Sequence, residues 1–171
     1  MHNPRTRTRA WLTLAVLCGI NFMNFYDRQI LPAVQEHIRK DWDLSDSDLG
    51  WLGTAFILLY SFVGIPLGRL ADVWRRKWLL AVGIGLWSVL TATSGFAWNF
   101  WSLFLFRLGV GVGEASCAPT ASSLIGDLFG PERRARAMSI FMLGLPLGLG
   151  ASFIVSGIIV HRLNWQAAFF I

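Results

Sequence analysis

Five runs of twenty or more mostly apolar residues, separated by short polar loops, constrain this chain more than any other feature. They cover about residues 10–33, 49–70, 78–97, 102–128 and 137–160. About 20 such residues are what an α-helix needs to cross a bilayer. In lipid a single segment must satisfy its own backbone hydrogen bonds, which leaves the helix as its structure. The chain therefore reads as an all-α membrane protein with five complete transmembrane helices. The terminal WQAAFFI, from about residue 165, reads as the start of a sixth. Composition agrees: 15% of residues are charged, against about a quarter in soluble domains. The N-terminal RTRTRAWLTLAVL has signal-peptide character, but its apolar run is longer and lacks a small-residue cleavage site. It reads as an uncleaved first span.

The basic residues sort by loop. Of 15 Lys and Arg, ten lie at the N-terminus and in the loops after spans two and four: Arg5, Arg7, Arg9, Arg69, Arg75, Arg76, Lys77, Arg133, Arg134 and Arg136. Three, Arg39, Lys40 and Arg162, lie in the opposite loops. The positive-inside rule then places the N-terminus in the cytoplasm, as expected of a multi-pass protein of a bacterial inner membrane. The same clustering explains the net charge of +5 without a nucleic-acid partner. The acidic loop VQEHIRKDWDLSDSD separates spans one and two, and Ser45 with Asp48 has the spacing of a capping pair. Cys18 and Cys117 lie in apolar segments, too few for a disulfide framework and without metal-site spacing.

Four ionisable residues stand inside the spans: Asp27, Arg28, Arg107 and Glu114. Each costs about 2.5–3.5 kcal/mol at a helix centre on insertion scales, so partners or a water-filled cavity are expected. At about 100° per residue, Arg107, Gly111 and Glu114 share one helix face, with Gly109 and Gly113 on the opposite one. The first face suits a cavity and the second suits close packing on a neighbouring helix. By depth, Asp27 is expected to face Arg107, with Glu114 deeper on the same wall. Phe22, Phe25, Tyr26, Phe56 and Tyr60 are aromatics of a kind that suits an amphipathic ligand, or simple packing. Pro146 in GLPLGLG reads as a packing kink among small residues.

The loop GRLADVWRRK resembles the signature loop of the major facilitator superfamily, G-x-x-x-D-R/K-x-G-R-R/K, with matches at Gly68, Asp72, Arg76 and Lys77. Val73 and Arg75 depart from it. The resemblance implies that Asp72, Arg76 and Asp127 form a cytoplasmic charge cluster stabilising an outward-facing state. The runs NFYDRQILPAVQ and GEASCAPTASSLIGDLF resemble the Spinster-like branch. Organic-anion:proton symporters share the D-R pair and the GEA element, so the residues after GEA favour Spinster. The resemblance implies the N-terminal six-helix bundle of that fold, completed by a C-terminal half. It also implies a secondary transporter without cofactor or metal, moving a small amphipathic or organic solute, with protons as the coupling ion. Asp27, Arg28, Arg107 and Glu114 would line its cavity, and membrane lipid would surround it.

Two other classes were weighed. Ser116 and Cys117 stand beside Glu114, but His2, His37 and His161 lie in loops or at span ends. No nucleophile–base pair is suggested, so an enzyme is not expected. A non-transporting receptor or scaffold would share the same spans and is separated from a carrier by solute flux.

Overall fold

The computed structural model describes the backbone of residues 4–171 and the side chains from Thr8 onward. His2 and the side chains of Arg5 and Arg7 lie outside the described residues. Among the described residues seven α-helices follow one another: α1 (Pro4–Trp42), α2 (Asp46–Val73), α3 (Arg76–Ser94), α4 (Phe100–Glu114), α5 (Cys117–Leu128), α6 (Pro131–Met142) and α7 (Gly144–Arg162). A 3-10 helix, Trp165–Phe170, ends the described chain. It stands where the sixth span was expected to begin. Among the described residues three helical stretches are long and apolar enough to cross a membrane by themselves: 46–73, 76–94 and 131–162.

The first two expected spans fall inside α1 and α2, α1 running well beyond the first at both ends, and the third, expected to residue 97, stops with α3 at Ser94. Spans four and five each differ from the continuous helix expected. The fourth is broken between Glu114 and Cys117, and the fifth at Leu143. Both breaks lie three or four residues before a proline, Pro119 or Pro146. A proline has no N–H for the carbonyl four residues back and its ring crowds that carbonyl. The chain tightens in response. Ser116 N–H and Oγ both donate to Gly113 O, at 3.4 and 2.9 Å. Leu143 N–H divides itself between Ser139 O and Ile140 O, both at 3.2 Å. Pro32 and Pro66 sit within unbroken helices. Pro66 lies between Gly64 and Gly68 just as Pro146 lies between Gly144 and Gly148, so a neighbouring glycine does not by itself decide which helix is interrupted.

Start signals are explicit where the chain re-enters. Ser45 and Asp48 form the expected reciprocal capping box at α2, with Asp48 N–H to Ser45 Oγ at 3.2 Å and Ser45 N–H to Asp48 Oδ2 at 3.0 Å. Asn99 and Ser102 make a second box at α4. Just before α2, Arg39 bridges Glu36 and Asp46, and the hydrogen bond from Arg39 holds the Glu36 carboxyl below its ordinary range.

Two apolar clusters cap the bundle. One gathers Leu14, Leu80, Ile125, Phe129 and Phe141 at the end that carries the basic loops. The other gathers Ile30, Val34, Ile38, Leu103 and Trp165 at the opposite end, where the Trp165 indole donates to Asp41 at 2.8 Å. Glycine ridges bring the helices between them into backbone contact. A Cβ on Gly148 would lie 2.3 Å from Phe22 O, and one on Gly144 2.8 Å from Phe22 N, so α7 rests directly on α1. Gly113 stands in the same way against Gly83 O and Trp87 N of α3, each 2.9 Å from an added Cβ, and Gly109 against Leu90. The expected packing face of α4 is therefore the one it turns to α3.

Candidate functional site

Between the two apolar clusters lies a layer of charge. Glu114, fully buried, ends α4 at the break before Cys117. The Nε of Arg28 donates to its Oε2 at 2.7 Å. The Arg28 side chain keeps 19% exposure and lies in an aromatic box. Its guanidinium carbon is 4.2 Å from the Tyr60 ring centre, 5.2 Å from Phe25 and 5.9 Å from Phe56. Such contacts hold a desolvated cation by the negative face of each ring. The box takes Phe25 from α1, one turn before Arg28, and Phe56 and Tyr60 from one face of α2.

Arg107 is buried on the same face of α4 as Glu114, two turns earlier. Its Nε and Nη1 find no hydrogen-bond partner, and neither does the free Oε1 of Glu114. Its guanidinium carbon lies 5.2 Å from the centre of the Phe56 ring. Asp27 is buried as well, but the turn of α1 aims it away from Arg28. It lines a cavity of about 340 Å³ between α1 and α3, with Met23, Ile84, Trp87 and Ser88. Trp87 is within its hydrogen-bonding reach. Asp27 and Arg107 interact electrostatically, but the intramembrane ion pair among the described residues is Arg28–Glu114. Arg107 is the cation that acts on Asp27, as depth suggested, but the two form no ion pair within 4 Å among the described residues, and Glu114, for which no particular partner was expected, takes Arg28. Adjacent residues on a helix point about 100° apart, and α1 is rotated so that residue 28, not 27, meets α4.

At the basic end, Arg76 pairs with Asp127 across the loops after α2 and α5, and its Nε donates to Ala71 O at 3.2 Å. Asp72 is exposed and forms no ion pair with Arg76 among the described residues, so two of the three charges expected to cluster are joined. Asp72, Arg76 and Lys77 line a cavity of about 480 Å³ with Trp74, Arg75 and Trp78. Gly68 has open space beside it: among the described residues nothing comes within 4 Å of a Cβ added there, so the close approach its glycine suggested is not made. Arg134 donates to Gly126 O at 2.9 Å, adding a tie between α5 and α6 that the sequence reading did not foresee.

The aromatic box was the main feature missed as a unit. Phe25, Phe56 and Tyr60 were noted only as ligand-suited or packing aromatics. The available signal was the four-residue spacing of Phe56 and Tyr60, which places them on one helix face. Among the described residues no group of His, Cys, Asp or Glu is placed to hold a metal.

The Major Facilitator Superfamily sequence profile matches residues 17–171. Protein spinster of Drosophila melanogaster is 36% identical over 159 residues, covering 92% of this chain and 26% of that protein. Protein spinster homolog 1 of Homo sapiens is 40% identical over 148 residues, covering 85% and 28%. An MFS-type efflux pump of Mycolicibacterium smegmatis is 32% identical over 171 residues, covering 99% and 39%. Among solved structures, a bacterial homolog of the human lysosomal transporter Spinster superposes in two inward-facing forms. The unoccupied form has a TM-score of 0.78 at 33% identity, covering 93% of this chain and 38% of its own. The occupied form has a TM-score of 0.79 at 31% identity, covering 99% and 42%. This chain thus spans roughly a quarter to two-fifths of the length of these relatives.

Proposed function

Because this chain belongs to the Major Facilitator Superfamily, we propose that it is the N-terminal half of a Spinster-type secondary transporter. The transporter moves a small amphipathic or organic solute, of lysolipid type, by alternating access and in exchange or company with protons. A C-terminal half completes the cavity, and the basic loops face the cytoplasm of a bacterial inner membrane.

The observation that carries this reading is the buried ion pair Arg28–Glu114 beside an unpaired Arg107. Charges this deep are tolerated only with partners or a water-filled path, and they mark ion and substrate routes. The negative charge of Glu114 is balanced either by Arg28 or by a proton. Protonation removes the charge that holds Arg28, and Arg28 is then free for an anionic group of the solute. Solute and proton occupancy become linked through one carboxylate without any third component. The Arg76–Asp127 tie would hold the cytoplasmic ends of α3 and α5 together and break when that side opens. An organic-anion:proton symporter of the same superfamily would use the same charges, with a smaller solute.

The test is flux in proteoliposomes carrying the full-length protein, with radiolabelled lysophosphatidylcholine as probe. Wild type should move the probe at a rate set by the pH gradient. Glu114→Gln should insert normally and lose that dependence. A Glu114→Gln protein with the wild-type pH dependence contradicts the assignment, and a wild type that moves no solute favours a receptor or scaffold.

A further inference from the structure

One arrangement in the charged layer is unexplained by the ion pair itself. Arg107 has two guanidinium nitrogens without partners, and Glu114 has a carboxylate oxygen without one. Both are buried on the same face of α4. Seven residues separate them, about 10.5 Å along the axis, a gap that an extended arginine folded back along the helix largely spans. A buried cation and a buried anion so placed attract each other strongly, yet they do not meet.

What stands between them is the ring of Phe56. Gly111 lies on the helix face midway between Arg107 and Glu114, and an added Cβ there would be 3.2 Å from both Cδ2 and Cε2 of Phe56. The missing side chain at residue 111 lets the ring lie against the α4 backbone, in the gap the arginine would have to cross. The same ring serves both arginines, with Arg107 at 5.2 Å and Arg28 at 5.9 Å from its centre. It is buried with Val110, Trp87 and Cys117, so it is not free to swing aside.

The geometry points to Phe56 as a positioning residue that decides which arginine holds Glu114. The ring blocks the path from Arg107 and holds its guanidinium by cation–π attraction, while the adjoining box delivers Arg28 to the acid. Removing the ring lets Arg107 fold onto Glu114, so that two cations share one carboxylate. The consequence for proton-linked transport rests on the function proposed above, whereas the choice of partner is a property of the fold and is measured without a solute.

The full-length protein in lipid nanodiscs is unfolded by heat with and without Arg28→Met, in backgrounds carrying Phe, Leu or Trp at position 56. With Phe or Trp, Arg28→Met strands Glu114, and Tm falls. With Phe56→Leu the fall should shrink to less than half, because Arg107 replaces Arg28. Adding Arg107→Met to that background should restore the full fall. If Phe56→Leu does not insert, Phe56→Met, a flexible side chain that packs but can be displaced, takes its place with the same expectation. An equal fall in every background overturns the inference, as does a fall that shrinks in the Phe56→Trp background too. A wild type that moves no solute counts against the transporter reading and leaves these unfolding comparisons unaffected.

Discussion

Glu114 and Arg28 meet because of two rotations that a single helix does not specify. Asp27 and Arg28 are neighbours, and either could face α4 by depth alone. The choice follows from how α1 lies on α7, where Gly144 and Gly148 admit the Phe22 backbone. The presence of four charges inside the spans, and the common face of Arg107 and Glu114, were legible from the sequence, since periodicity within a helix fixes them. The partner was not, because it depends on packing between helices far apart in sequence. The two arginines should behave differently as a result. Breaking a buried pair by removing one partner costs about 3–5 kcal/mol, whereas Arg107 forms no ion pair among the described residues and leaves two buried nitrogens unsatisfied, so an apolar side chain there removes a desolvation cost and gives up only the longer-range attraction to Asp27. Arg28→Met should therefore lower the unfolding temperature of the full-length protein markedly, while Arg107→Met leaves it near or above the wild-type value. The reverse order would show that Arg107 is the true partner of Glu114.

At the scale of elements, apolar runs and basic loops were enough to place the helices, because bilayer thickness and backbone satisfaction leave few alternatives. The two breaks were not foreseen. Four prolines lie within expected spans, and the helix is interrupted before Pro119 and Pro146 but not at Pro32 or at Pro66, whose flanking glycines match those of Pro146, so the local sequence does not single the breaks out. The glycine ridges carry the closest packing and so are the most sensitive positions. A Cβ at residue 83 would fall 2.0 Å from Ser116 Oγ and 2.9 Å from Gly113 O. The backbone carbonyl cannot move aside without parting α3 from α4. Gly83→Ala should destabilise the protein by about 1–3 kcal/mol, the usual range for overpacking. Gly50→Ala, with open space at the added Cβ, should be neutral or stabilise by up to about 1 kcal/mol. Thermal unfolding of the two variants side by side checks this, and equal effects would contradict the backbone contact between α3 and α4.

For the whole molecule, the three basic segments gather at one end. Trp11 of α1 packs edge-on against Phe129 with ring centres 5.2 Å apart, and Arg76 joins Asp127 there. The buried charge then forms a layer between two apolar caps, with the Glu114 carboxylate at its centre and the break in the fourth span directly behind it. On the function proposed above, these residues would supply the coupling charge and a C-terminal half the opposing wall. The most direct measurement of that claim compares two modes of transport in proteoliposomes of the full-length protein, with lysophosphatidylcholine as probe. On the proposed coupling, uphill accumulation would need the proton, while exchange of labelled for unlabelled probe at equal concentration would not. Glu114→Gln should lose accumulation by at least tenfold and keep exchange within about threefold of wild type. Loss of both together, or retention of proton-driven accumulation, would contradict the account of Glu114 as the residue that trades a proton for Arg28.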